Sequence, residues 1–412
     1  MNLDVRIYPS RLCGITEGFA PKGAALRALL AASLSGGEVS LKFNNRSAEI
    51  FAAKEVLSAT FAEITRNGSE YTIRPKPMLE ENADIFVGAG AAALRFLLPS
   101  VAALFKRIDI SGDSGAFRRV LKDLTEYLKG TILTGERLPV TLTGRLKGGI
   151  YELGEDTPSA FTDGLMFALA LTADGGELRL TEKAALSKRV AACVQALNDC
   201  GAKAEITGSV VKIHGGAFDF FGTEQTQKRF SFPSESEIKG EAQSAAPFFA
   251  AKALGGDIRV DNLADKESES EVIKAIATCA RGGEVSFKGM TAVAPFAAVC
   301  ATFSKDGTET ILTKAFGKDK DVERGKALVS NVVKMGGKAE LTEDGYKIIG
   351  TGGLCGGVYT DGFGDPRIAA ATAIAALNAK EPTVLLSAEA VNREYPEFFN
   401  ELIRLGARIE SL

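Results

Sequence analysis

Apolar residues in this chain fall into two textures that alternate along its length. One is a run of Ala, Leu, Ile and Phe that is apolar on nearly every side. The other is a short stretch in which β-branched and charged residues alternate. All-round apolarity over a helical length predicts helices buried on every face, and a period of two predicts strands with one wet face. The pairing recurs six times. Ala25–Leu34 leads into Glu38–Leu41, Ala93–Leu98 into Arg107–Ile110, and Gly164–Leu171 into Glu177–Leu180. Ala245–Ala251 then leads into Asp257–Val260, Ala294–Ala301 into Glu309–Leu312, and Ile368–Leu377 into Thr383–Leu386. These starts are spaced by about 50 to 80 residues, the signature of an internal repeat.

A second signature punctuates the same period: a helix closed by glycine, then a strand alternating Lys and Glu. It reads Cys200-Gly201-Ala-Lys-Ala-Glu-Ile206, Met335-Gly336-Gly-Lys-Ala-Glu-Leu341 and Leu405-Gly406-Ala-Arg-Ile-Glu410. Each repeat is therefore strands plus two helices. A chain of 412 residues exceeds one ordinary core, so the simplest grouping is two domains of three repeats. The polar stretch Thr223–Arg229 is the expected hinge, and Asp265–Glu271 is expected to be an exposed turn and helix cap.

Composition narrows the function. The formal net charge of −3 supplies no broad positive field for nucleic acid or an anionic membrane, but allows a small anion in a locally basic cleft. The N-terminus has no signal-peptide core, and no apolar stretch approaches a bilayer span. Six scattered cysteines without a Cys-x-x-Cys pair point to reduced thiols in a cytoplasmic protein. The one histidine, His214, lies in a strand-like run, and no Cys/His cluster suggests a metal.

No phosphate loop, dinucleotide fingerprint or nucleophile elbow is present. Instead, basic residues stand just before or inside the apolar helices. These are Lys22 and Arg27, Arg118 and Arg119, Lys318, Lys320 and Arg324, Arg367, and Arg393. Helix starts expose free N–H groups, so cations there make ready sites for phosphate or carboxylate.

Five of these segments, in order, resemble the 5-enolpyruvylshikimate-3-phosphate synthase family. They are Ala20-Pro21-Lys22-Gly23-Ala-Ala-Leu26-Arg27, the arginine at 119, Lys320-Asp321-Val322-Glu323-Arg324, Asp365-Pro366-Arg367, and Arg393-Glu394-Tyr395-Pro396-Glu-Phe-Phe399. The resemblance implies an α/β (α+β) chain with the two-domain enolpyruvyl transferase fold. That fold is an inside-out α/β barrel of six βαβαββ repeats, three per domain, with the site in the interdomain cleft. The first domain would be 19–228, and the second 1–18 plus 229–412. The implied reaction moves the enolpyruvyl group of phosphoenolpyruvate to the 5-hydroxyl of shikimate 3-phosphate and releases phosphate, without cofactor or metal.

Carried over, Lys22, Arg119, Arg324, Arg367 and Arg393 would hold phosphoenolpyruvate. Lys22, Gly23, Arg27, Ser159, Ser187 and Lys320 would hold shikimate 3-phosphate. Lys22 and Asp321 would be catalytic, and the protein would act as a cytoplasmic monomer on these two small anions, without nucleic acid or membrane. The pattern also departs from the family. Its aspartate at the head of the fifth helix falls near Val293 or Ala294, its Ser-Ser-Gln reads Pro158-Ser159-Ala160, its ring-contacting tyrosine falls near Val190 and its asparagine near Phe316. Glu241 and Asp163 are candidate replacement acids. Two other readings stay open: a non-catalytic or altered-acceptor anion binder on the same fold, and a UDP-N-acetylglucosamine enolpyruvyl transferase. The second would need a cysteine shortly before Arg119, and none occurs between Cys13 and Cys193.

Overall fold

The computed structural model describes residues 3–88, 90–112, 127–221, 227–317, 319–395 and 397–412. The chain divides into two compact units. The N-terminal unit comprises Lys22–Phe43 and Ala48–Ile238; the C-terminal unit comprises Met1–Pro21, Asn44–Ser47 and Lys239–Leu412.

The N-terminal unit holds three four-stranded sheets of one topology. In Asn82–Phe86, Arg107–Ser111, Thr131–Thr134 and Val140–Gly144, the first two strands run parallel, and the fourth pairs antiparallel with both the second and the third. Gly149–Glu152, Gly176–Arg179, Lys203–Thr207 and Val210–His214 repeat the arrangement. The remaining sheet takes Val39–Phe43, Ala62–Asn67 and Glu70–Pro75 from the start of the unit. Its parallel first strand, Glu235–Ile238, comes from the far end, with Glu235 opposite Ser40. Residues 229–238 thus belong with the N-terminal unit and residues 19–21 with the C-terminal one, so the chain crosses over at 21/22 and 238/239 rather than at the expected 18/19 and 228/229.

The C-terminal unit has two sheets of the same kind. One is Gly283–Ser286, Glu309–Thr313, Lys338–Leu341 and Tyr346–Ile349. The other joins Tyr359–Asp361, Thr383–Leu386 and Ile409–Ser411 to the N-terminal strand Val5–Ile7. The fourth repeat, which carries Asp257–Val260, has two parallel strands among the described residues, Asp257–Asp261 against Cys13–Glu17.

The apolar helices sit inside. Phe161–Ala170, Ala294–Thr302 and Ile368–Leu377 are buried at every position, as all-round apolarity predicts. Helix Ala91–Leu104 packs on helix Ser159–Ala170, with the Phe96 and Phe167 rings 5.9 Å apart. Gly164 makes that approach possible, because a Cβ there would stand 2.1 Å from the Phe96 carbonyl oxygen. Gly201 and Gly336, which close helices before strands, have φ of 89° and 88°, a region that favours glycine. Asp265 caps helix Lys266–Arg281 by accepting from Glu267 N at 3.0 Å. No helix among the described residues is long and apolar enough to cross a membrane.

Candidate active site

Two clusters of charge gather the basic residues, one in each unit. In the C-terminal unit the cluster forms where helix Asp319–Lys334 meets the start of helix Pro366–Leu377. Asp365 is the N-cap of the second helix; its Oδ1 accepts from the backbone N–H of Arg367 at 3.0 Å and of Ile368 at 3.3 Å. Both oxygens also receive Arg324, whose Nε donates to Oδ1 at 3.0 Å and Nη2 to Oδ2 at 2.8 Å. Arg324 Nη1 donates to Asp321 Oδ1 at 2.5 Å. Asp321 Oδ2 in turn accepts from Gly317 N at 3.0 Å. Arg324 is thus only 8% exposed yet fully compensated, as a buried cation must be.

Burial works against the charge on Asp365, but Arg324 and the two backbone N–H groups outweigh it and hold the carboxyl below the usual carboxylate range. Burial likewise opposes the charge on Arg367, and its hydrogen bonds to Glu394 more than restore it. Arg367 Nε donates to Glu394 Oε2 at 3.1 Å and Nη2 to Oε1 at 2.8 Å. Arg393 Nη1 donates to the Gly364 carbonyl at 3.1 Å. A cavity of about 420 Å³ opens beside these groups, lined by Lys320, Arg324, Ala327, Phe363 and Asp365 among others.

In the N-terminal unit three helix starts meet. Lys22 and Gly23 begin helix Lys22–Ser33, Ser159 begins Ser159–Ala170, and Ser187 caps Lys188–Asp199. Arg27 folds back over its own first turn, so its Nη1 lies 3.3 Å from where a Cβ on Gly23 would stand. A larger residue at 23 would push it away. Arg27 reaches Asp163 Oδ2 at 3.8 Å, and Arg189 Nη1 bonds to Asp163 Oδ1 and donates to the Ser159 carbonyl at 2.9 Å. Ser187 Oγ accepts from Val190 N at 3.3 Å and donates to the Ala184 carbonyl at 2.6 Å. Burial pushes the Asp163 carboxyl up to about 6, against the pull of Arg189 and Arg27. The ion pairs alone would argue for a low value; burial is the larger effect.

Most residues singled out in the sequence thus fall into these two groups. Lys320, Asp321, Arg324, Arg367 and Arg393 lie in the first; Lys22, Gly23, Arg27, Ser159 and Ser187 lie in the second. Lys22, Lys320 and Arg324 lie within the first two turns of their helices. Arg118, Arg119 and Lys318 lie outside the described residues. Sequence reading missed Arg189. Its signal was available, since an arginine in the first turn of a helix opposes the macrodipole and needs a partner to hold it. It also gave no role to Asp365 or Glu394, whose oxygens carry Arg324 and Arg367. Val293 and Ala294, at the head of helix Ala294–Thr302, are fully buried and apolar. Asp321 lies near that helix head, because a Cβ on Gly317 would stand 3.4 Å from Asp321 Oδ2 and 3.7 Å from Thr291 Cγ2.

Comparison with known proteins gives the arrangement a lineage. The family model of EPSP synthase (3-phosphoshikimate 1-carboxyvinyltransferase) matches residues 9–402. The chain belongs to the EPSP synthase family. Similar relatives include the 3-phosphoshikimate 1-carboxyvinyltransferase of Clostridium kluyveri, 27% identical over 98% of both chains. That of Deinococcus radiodurans is 27% identical over 99% of this chain and 97% of its own. Among solved structures, the EPSP synthase of Acinetobacter baumannii superposes with a TM-score of 0.74 over all of both chains at 18% identity. The enolpyruvyl transferase NikO of Streptomyces tendae gives 0.67 over 100% of this chain and 98% of its own at 17% identity. The EPSP synthase family is one of enolpyruvyl transferases, and the architecture described above is the two-domain fold of that group.

Proposed function

We propose that this EPSP synthase family member transfers the enolpyruvyl group of phosphoenolpyruvate to the 5-hydroxyl of shikimate 3-phosphate, releasing phosphate. The observation that carries this reading is the cluster in which Arg324, Arg367 and Arg393 meet Asp321 at a helix start. Adding an alcohol across the enolpyruvate double bond requires a proton at carbon C3 and removal of one from the hydroxyl. Expelling phosphate then breaks its bond to C2 and removes a proton from C3, so negative charge builds on the departing phosphate beside the fixed carboxylate. Preorganised cations lower that cost. In this reading Arg119, Arg324, Arg367 and Arg393 hold phosphoenolpyruvate, with Lys22 at its phosphate. Asp321 moves the proton, a role sharpened by the lack of any acid at Val293 and Ala294.

Lys22, Gly23, Arg27, Ser159, Ser187 and Lys320 hold the acceptor, and Arg189 adds a cation that the serine-poor sequence around Ser159 lacks. The free cysteines, four buried and two exposed, support a reducing cytoplasmic setting. The test is phosphate release with phosphoenolpyruvate and shikimate 3-phosphate. Steady turnover that needs both substrates is the expected result, and no release at high enzyme concentration would overturn it. One observation favours a second reading, a different acceptor alcohol. Val190 is fully buried where the family places a ring-contacting tyrosine. Phosphate release with another alcohol but not with shikimate 3-phosphate would select it.

A further inference from the structure

Glu394 lies on the guanidinium of Arg367 in a two-point grip, Nε to Oε2 at 3.1 Å and Nη2 to Oε1 at 2.8 Å. This is the fork geometry with which an arginine holds any carboxylate. The donors it occupies are the ones a carboxylate ligand would need. Arg324 is sealed between Asp321 and Asp365, whereas this pair reaches solvent: 21% of the Arg367 side chain and 37% of the Glu394 side chain are exposed. Glu394 can therefore leave into water without being stranded in the interior.

Its segment also has an unusual backbone. Ser387, which precedes the short helix Ala388–Arg393, has φ of 52°, and Glu397 has φ of 60°. Both are left-handed positions that non-glycine residues rarely adopt. The neighbouring Arg393 is tied to Gly364, on the loop that leads to Asp365 and Arg367. Release of Glu394 and capture of a ligand thus involve one connected segment.

We propose that Glu394 is a resident counter-ion, occupying the carboxylate place on Arg367 until an anionic substrate displaces it, and that it thereby sets the affinity for that substrate. The proposal rests on the reading of Arg367 as a phosphoenolpyruvate cation. A carboxylate that must be displaced weakens binding by the strength of the pair it makes, and for a partly exposed pair this is about five- to tenfold.

The test titrates the full-length protein with phosphoenolpyruvate and follows KM for each substrate. Glu394→Gln keeps the shape and removes the charge. It is expected to tighten phosphoenolpyruvate about five- to tenfold, lower its KM to match, and leave KM for shikimate 3-phosphate unchanged. Glu394→Thr, too short to reach Arg367, is expected to do the same. Weaker or unchanged phosphoenolpyruvate binding in both variants overturns the proposal, and weaker binding would make Glu394 a residue that positions Arg367. Arg367→Gln separates the two statements. If it weakens phosphoenolpyruvate while Glu394→Gln does not tighten it, only the counter-ion role falls. If it leaves binding unchanged, the assignment of Arg367 falls and the counter-ion role with it.

Discussion

The two charge clusters use the same residue types to different ends. In the N-terminal unit, Arg27 and Arg189 share one carboxylate, Asp163, and Lys22 stands at a helix start in the same cluster. In the C-terminal unit, Lys320, Arg324, Arg367 and Arg393 stand among three, Asp321, Asp365 and Glu394. The first cluster keeps a surplus of positive charge and suits a dianionic phosphate. The second is nearly balanced before any ligand arrives. Its carboxylates fix the arginines in place, which favours preorganisation over raw attraction. A count of basic residues along the sequence would rank the C-terminal cluster as the stronger anion trap; the carboxylates reverse that ranking.

The comparison can be broken most sharply at Asp321. Asp321→Asn keeps a hydrogen-bonding partner for Arg324 but removes the proton carrier, so kcat should fall about a thousandfold with little change in either KM. A small loss would move the proton chemistry elsewhere, with Glu241, raised by burial, the next acid to test. Asp365→Ala removes a helix cap and leaves Arg324 without its two-point partner. Urea unfolding should show a loss of about 3 kcal/mol, far more than Arg393→Ala, which among the described residues bonds to an exposed carbonyl.

Asp163 tests the sparser cluster. Its carboxyl is raised from 3.8 to about 6, so between those values the folded state binds more protons than the unfolded one. Stability present at low pH is therefore lost as pH rises through about 6, by on the order of 2–3 kcal/mol. Asp163→Asn should flatten that slope in unfolding curves taken from pH 4 to 7. The smallest effect is expected at Arg189. Arg189→Gln should raise KM for shikimate 3-phosphate about tenfold and leave that for phosphoenolpyruvate alone. Equal changes in both would merge the two clusters into one function.

Legibility in the sequence followed the range of the interactions. The repeats could be read because all-round apolarity and period-two alternation are local patterns, and glycine at 201 and 336 marks helix ends by local backbone geometry. The exchange of strands could not. Glu235–Ile238 looks like any short polar stretch until it pairs with Val39–Phe43, some two hundred residues earlier. The basic residues stood out by position, while their partners did not. Asp365 reads as a cap, Glu394 as a neighbour of Arg393, and Asp163 as an acid in an apolar helix. Only the fold brings each onto an arginine, and that pairing decides how much positive charge is left for a ligand.

The borrowed strands also set an order of assembly. The N-terminal unit has all its strands once residue 238 has left the ribosome. The C-terminal unit must hold its earliest segment in waiting, because Val5 sits opposite Leu385 and Ser411. Its last sheet cannot close until residue 411 has emerged. During synthesis, then, the half carrying Asp163 and Arg189 can mature first, and the half carrying Asp321 and Arg367 is the one left exposed to chaperones and proteases.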